Sequence, residues 1–299
     1  MLEKVSVNQA ICLKEYINEK DYKEINSLQE ICSANDEVNL KLELDYKLNM
    51  FKTSDIGLNN INEFFYYIDE TLVGYLGISS FGRNIGEING IIHPKWRRKG
   101  LFRKLLEIAI DECNKRKFNK ILLLSDGKSN SGGDFIKAVG GKYDFSEYRM
   151  RRVSKISPER IDYIRLRKAE KSDGKEIGRQ NAIYFNGVEE IESSQEEEVI
   201  FNESAYMVEL EGKTIGKINI EYSDDYAFIC GFGILPDFRG KGYGKAALKE
   251  ALHLINEKNI FTVELDVECK NSTALNLYKA CGFEEKSIMN YYKYKSEIN

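Results

Sequence analysis

Shifted by 142 positions, the sequence falls on itself without a gap. DETLVGYLGI, from Asp69, lies on EGKTIGKINI, from Glu211, and brings Gly74 onto Gly216. IIHPKWRRKGLFRKLL, from Ile91, lies on GILPDFRGKGYGKAAL, from Gly233, and FIKAVGG, from Phe135, lies on LYKACGF, from Leu277. Pro94 and Pro236, two of the three prolines, become equivalent. A constant offset over about 75 residues indicates two copies of one fold. The period is too long for a solenoid, whose repeats run ~20 to 50 residues. The third proline, Pro158, lies in the polar stretch RRVSKISPER, where its missing N–H keeps it out of a sheet ladder. The chain reads as domains 1–152 and 163–299 joined by a linker, 153–162.

Each copy reads as mixed α/β. In the second, IRLRKA predicts a strand, and a helix follows from about Ser172 to Tyr184. SAYMVELEG and TIGKINIEYS predict two strands joined by a Gly-Lys turn, and YAFICGFGI a third, mostly apolar strand. In KAALKEALHLINEK, Ala247, Leu248, Ala251, Leu252 and Ile255 form one apolar stripe at helical spacing. FTVELDVE alternates as a strand, NSTALNLYKACG predicts a short helix closed by Gly282, and SIMNYYKYK a final strand.

Charge narrows the function classes. Residues 1–159 hold 25 Lys/Arg against 23 Asp/Glu, and 160–299 hold 19 against 25, so neither half carries a nucleic-acid footprint. Six cysteines without a CxxC, and only two histidines, argue against a metal site. The cysteines read as small buried hydrophobes. MLEKVSVNQA has no signal-peptide pattern, and no apolar run reaches membrane-spanning length. The expectation is a cytoplasmic protein with no membrane and no nucleic-acid partner.

RGKGYG, from Arg239 to Gly244, stands between a predicted strand and a predicted helix. N–H groups of a helix's first turn lack intrahelical partners and sit at the positive end of its dipole, which suits phosphate. Gly240, Gly242 and Gly244 let the backbone bend and be approached closely, while Arg239, Lys241 and Lys245 add positive charge. Neither the P-loop nor the GxGxxG spacing is present. Taken alone, the stretch is either a phosphate cradle or a turn that starts a helix.

ILPDFRGKGYGKAAL resembles the acetyl-CoA motif of the GCN5-related N-acetyltransferases, Arg/Gln-x-x-Gly-x-Gly/Ala, which Arg239, Gly242 and Gly244 fill. LDVECKNSTALNLYKACGF is similar to the same family's downstream motif, with Asn271, Tyr278, Gly282 and Phe283 in place. The resemblance implies two tandem domains, each a mixed, mostly antiparallel twisted sheet with a splayed central strand pair and flanking helices. The tandem arrangement also resembles that of mycothiol synthase, but a duplicated fold does not fix a substrate.

The resemblance implies acetyl-CoA as cosubstrate and no metal. It places pantetheine on the backbone of Phe232 and Ile234, with a backbone N–H near Phe232 facing the oxyanion. It places pyrophosphate on Arg239, Gly240, Lys241, Gly242, Tyr243, Gly244 and Lys245. Asn271 orders the pantetheine or the helix entry, or is simply an N-cap. Tyr278 stands where the family places the proton donor to the leaving thiolate, and Asp266 where its ribosomal-protein alanine acetyltransferases carry a glutamate, the candidate general base. Glu264 and Glu268 share that strand face. A carboxylate is about six pKa units too weak for an alkylammonium, so it needs a raised pKa or a relay water, or the amine arrives neutral. The implied reaction is direct attack by a primary amine, of a small molecule or a peptide N-terminus, on the thioester. The alternatives are a non-catalytic acyl-CoA-sensing or protein-binding tandem module, and transfer of a longer acyl chain.

The offset compares the copies. Asp266 falls on Leu124, Asn271 on Ser129, Tyr278 on Ile136 and Gly244 on Phe102, while Arg97 and Gly100 persist. The second domain reads as the enzyme and the first as a diverged, non-catalytic scaffold. VEEIESSQEEEV, with Glu189, Glu190, Glu192, Glu196, Glu197 and Glu198, reads either as an attractive lining for a cationic acceptor or as solvated surface.

Overall fold

The computed structural model describes residues 8–49, 60–81, 84–156, 158–159, 161–186, 204–223 and 225–295. The acidic stretch from Glu189 to Glu198 lies outside them. Contacts divide the chain into two compact units, residues 1–146 with 287–299, and residues 147–286. Along the first run β1 (Gln9–Lys14), α1 (Glu19–Asp36), α2 (Leu44–Leu48), β2 (Glu63–Ile68), β3 (Thr71–Ser79), β4 (Ile85–Ile92), α3 (Leu101–Lys115), β5 (Lys120–Asp126), α4 (Asn130–Ala138) and β6 (Lys142–Val153). Then come β7 (Ile164–Lys168), α5 (Gly174–Asn181), β8 (Ala205–Leu210), β9 (Lys213–Tyr222), β10 (Ala227–Ile234), α6 (Tyr243–Glu257), β11 (Thr262–Glu268), α7 (Ser272–Lys279) and β12 (Glu284–Tyr294).

The unit boundaries fall inside strands. β6 passes into the second unit at Glu147, and β12 returns to the first at Ser287. The first unit's strand order is β1-β2-β3-β4-β5-β12 and the second's is β7-β8-β9-β10-β11-β6. The closing strand of each unit therefore comes from the other sequence copy. Within each unit the ladders are antiparallel except one parallel pair, β4 with β5 and β10 with β11.

The 142-residue offset is visible in the backbone. β5 and β11 begin and end at equivalent residues, as do α3 and α6. Even the register shift between Tyr66 and Tyr67 in the β2–β3 ladder returns between Val208 and Glu209 in β8–β9. The turn after β8 is Glu211–Gly212, both at positive φ, rather than the expected Gly-Lys, and Lys213 opens β9. Its equivalent, Asp69–Glu70, takes positive φ at both residues without any glycine. Such a turn matches the twist of the flanking strands, and hairpin pairing outweighs the local cost of φ > 0.

Apolar faces fix where the helices dock. The α6 stripe, Ala247, Leu248, Ala251, Leu252 and Ile255, is fully buried against Ile229, Val263 and Leu265. Burying each larger side chain contributes about 1.5–3 kcal/mol. In the first unit α3 buries Leu105, Leu106 and Ala109 against β2–β4, while α1 covers the other sheet face through Ile25 and Leu28. The helix expected from Ser172 is shorter: a 3-10 turn at Lys171–Asp173 leads into α5, and a π-helical turn, Ala182–Asn186, follows it.

Candidate active site

In the second unit, β10 is zipped to β11 only from Ala227 to Ile229. On its other side the ladder with β9 runs to Cys230 and resumes at Gly233. Gly231 and Phe232 fall in neither ladder. This is a β-bulge, which bends its strand and re-aims the groups that follow. Gly231 sits at φ 55°, and a Cβ there would lie 2.9 Å from Lys217 Nζ. Beyond Ile229 the β10 edge is free of β11, a geometry that can accept an extended ligand by backbone pairing.

The loop follows directly. Pro236–Phe238 form a 3-10 turn, and the Arg239 Nε donates to the Ile234 carbonyl at 2.8 Å, tying the loop to the end of β10. The guanidinium makes no ion pair among the described residues and lies 6.0 Å from the Tyr184 ring centroid. Gly240 and Gly242 both have positive φ. Gly242 is the N-cap of α6 at φ 83°, with no side-chain cap and with open space where a Cβ would stand. The first N–H groups of Tyr243, Gly244 and Lys245 thus head a 15-residue helix without a protein cap. The Lys241 amine donates to the Asp237 carbonyl at 3.0 Å. Gly244 lies 3.7 Å, as a Cβ would measure it, from Ile234 and Leu277.

Asn271 is the N-cap of α7, its side-chain oxygen accepting from the Ala274 N–H at 3.1 Å. The same helix carries Tyr278, 8% exposed, whose ring meets Phe283. Its hydroxyl has no hydrogen-bond partner among the described residues, and burial pushes it up to about 12. It therefore keeps its proton at any physiological pH.

Asp266 is placed differently from a poised base. Its two carboxylate oxygens take the Arg149 Nε at 2.5 Å and Nη2 at 3.0 Å. Arg149 also reaches Glu264 at 3.1 Å, and Arg151 holds the other Glu264 oxygen at 2.5 Å. Val263, Leu265 and Val267 point into the core shared with α6 and α7, so Glu264 and Asp266 occupy the opposite sheet face. Sequence reasoning also missed two groups beside the bulge. Tyr184, in the π-helical turn, lies over Gly233, and Lys217 is 2% exposed on β9 with its amine donating to the Gly231 carbonyl at 2.9 Å. Burial pulls that amine down to about 8.

The first unit shows the same frame filled in. Its β3–β4 ladder runs from Gly74/Ile92 to Ser79/Glu87 without a bulge. The Phe102 ring lies against Gly90, the equivalent of Phe232, and makes a T-shaped contact with Phe135, centroids 5.0 Å apart. Arg97 repeats the tie of Arg239, donating to the Ile92 carbonyl at 3.0 Å, but its guanidinium is also paired with Asp36 at 2.7 Å. That pairing holds the Asp36 carboxyl below the usual range.

Comparisons with known proteins agree with this frame. The model of the acetyltransferase (GNAT) family matches residues 27–132 and 175–283. An uncharacterized N-acetyltransferase of Methanocaldococcus jannaschii is 34% identical over 92 residues, 28% of this chain and 40% of that one. The [ribosomal protein bS18]-alanine N-acetyltransferase of Escherichia coli is 32% identical over 69 residues, 23% of this chain and 47% of that one. Less than half the length of these relatives is spanned. A GCN5-related N-acetyltransferase from Sphaerobacter thermophilus superposes with a TM-score of 0.73 at 16% identity, covering 95% of both chains. A tandem GNAT protein from the clavulanic acid biosynthesis pathway gives 0.67 at 13% identity, covering 96% of this chain and 98% of that one. With both sequence copies matched by the family model and the whole chain following the tandem fold, this protein belongs to the GNAT acetyltransferase family.

Proposed function

We propose that the second sequence copy, 163–299 with β6 completing its sheet, is an acetyl-CoA-dependent N-acetyltransferase acting on a primary amine of a small molecule or a peptide N-terminus. The observation that carries this reading is the contrast between the copies. One scaffold is built twice, with an uncapped glycine start to the helix in both copies; only in the second is the strand edge bulged and unfilled and the loop guanidinium without a carboxylate partner among the described residues. The residues present fit the cofactor. The N–H groups of Tyr243, Gly244 and Lys245, with Arg239, Lys241 and the open space over Gly240 and Gly242, suit a pyrophosphate. The backbone of Phe232 and Ile234 suits pantetheine, and Asn271 stands at the entry of α7. Acetyl-CoA supplies a thioester carbonyl. The Phe232 N–H stabilises the charge that develops on its oxygen.

Tyr278 donates a hydrogen bond to the sulfur as it leaves. With the phenol near 12 and a thiol near 8.5, full transfer is uphill by about 5 kcal/mol, so the hydroxyl stabilises thiolate rather than protonating it outright. Proton acceptance by Asp266 would cost its ion pair with Arg149. The amine therefore enters as its free base; after C–N bond formation and C–S cleavage the proton shed by the nitrogen passes through solvent to the CoA thiolate, and Asp266 holds the β6–β11 face. The test is release of free CoA from acetyl-CoA across a panel of amines. We expect Tyr278→Phe, which removes a hydrogen-bond donor to developing charge, to lower kcat by about 10²- to 10³-fold, and Asp266→Asn to leave the shape of the pH–rate profile unchanged. A Tyr278→Phe enzyme within threefold of wild type would remove the tyrosine's role. A wild type inactive with every amine would favour the sensing or partner-binding reading.

A further inference from the structure

We propose that Lys217 is a positioning residue for this transfer: by holding the Gly231 carbonyl, it turns the N–H of Phe232 toward the open edge of β10. The inference rests on the reading in which that N–H faces the thioester carbonyl. The peptide joining Gly231 to Phe232 belongs to no ladder, so strand pairing does not set its orientation. The contact that holds it is the hydrogen bond from Lys217 Nζ to the Gly231 oxygen, 2.9 Å. A trans peptide is planar, with its C=O and N–H pointing in opposite directions, and no cis bond is present among the described residues. Fixing the carbonyl on the Lys217 side therefore sends the Phe232 N–H to the other side.

The local packing is built around this contact. Gly231 has φ 55°, and a Cβ there would meet Lys217 Nζ at 2.9 Å and Asn219 Nδ2 at 3.1 Å. A buried amine is costly to desolvate, and one 2% exposed needs a compensating role. The first copy supplies an internal control. Position 75, equivalent to 217, is a tyrosine whose hydroxyl donates to Glu63, itself bonded by Lys47. Position 89, equivalent to Gly231, is an asparagine whose Oδ1 accepts the Gly90 N–H at 2.8 Å. That N–H is the equivalent of Phe232's and is already consumed. The lysine and the bulge occur together in the second copy, and both are missing at the equivalent positions of the first.

The experiment uses the full chain. Labelling with carbonyl-¹³C glycine and ¹⁵N phenylalanine leaves two Gly–Phe amide signals, from Phe232 and Phe283. In Lys217→Met we expect the Phe232 signal to move and that of Phe283 to stay. We expect kcat for acetyl transfer to fall 10- to 100-fold, with KM and calorimetric Kd for acetyl-CoA within twofold and a Tm no lower than wild type. Lys217→Gln, whose shorter side chain cannot span the same distance, gives the same comparison if the methionine variant does not fold. Turnover within threefold of wild type overturns the inference, as does weakened acetyl-CoA binding with kcat unchanged. A wild type that transfers no acetyl group to any amine is a different failure, that of the parent reading, and it takes this inference with it.

Discussion

Lys217 shows at the residue scale how a buried charge ties stability to pH. Its amine sits near 8 in the folded chain, below the ordinary value of 10.5. Between those values the unfolded chain holds the extra proton, so stability rises as pH climbs through the window. The maximal gain is about 3 kcal/mol. We expect urea unfolding of the wild type to show this rise between pH 8 and 10 relative to Lys217→Met, which lacks the group; parallel curves for the two proteins would count against it. Residues of the loop and of α7 were legible in the sequence because the motifs that hold them are contiguous. Arg239, Gly242 and Tyr278 each stand where local spacing puts them. Lys217 carries no such mark, since its meaning depends on a carbonyl 14 residues away across a hairpin. The Asp266–Arg149 pair spans 117 residues and two sequence copies. No pattern along one strand reveals it.

Among elements, β4 and β10 are the instructive pair. Both lie parallel to the strand that follows their helix, and both stop pairing with it after four and three residues respectively. The glycine-rich loops also match, each N-capping its helix with a left-handed glycine. What separates them is filling: Phe102 and Phe135 occupy the first copy's edge, where the second has Gly244 and Leu277. The Phe102 substitution was readable from the offset, but its consequence, a ring lying on Gly90, was not. We expect calorimetric titration with acetyl-CoA to give one site per chain. A second site would place a working cleft in the first copy. Arg239→Ala should weaken the single site by about tenfold, because the arginine both ties the loop to Ile234 and carries a charge with no ion pair among the described residues.

The whole molecule is organised by the exchange of its closing strands. β12 supplies Met289, Tyr291 and Tyr292 to the first unit, all at most 8% exposed. At about 1.5–3 kcal/mol for each buried side chain, removing residues 287–299 should destabilise that unit by several kcal/mol. The lone tryptophan, Trp96, lies in the same unit. Its fluorescence should therefore report a lower urea midpoint in the truncated chain, and an unchanged midpoint would mean that β12 is dispensable. The duplication was plain in the sequence. The exchange was not, because β6 and β12 occupy equivalent positions and either could have closed either sheet.

That exchange also sets an order of events during synthesis. Domains ordinarily fold as they emerge, the N-terminal one first. Here the last strand of the first unit is synthesised after the whole of the second unit. The second unit, ending at Lys286, has its full complement of strands before the first one does. Of the two units, the one begun first is completed second, and until then β5 waits without its β12 partner.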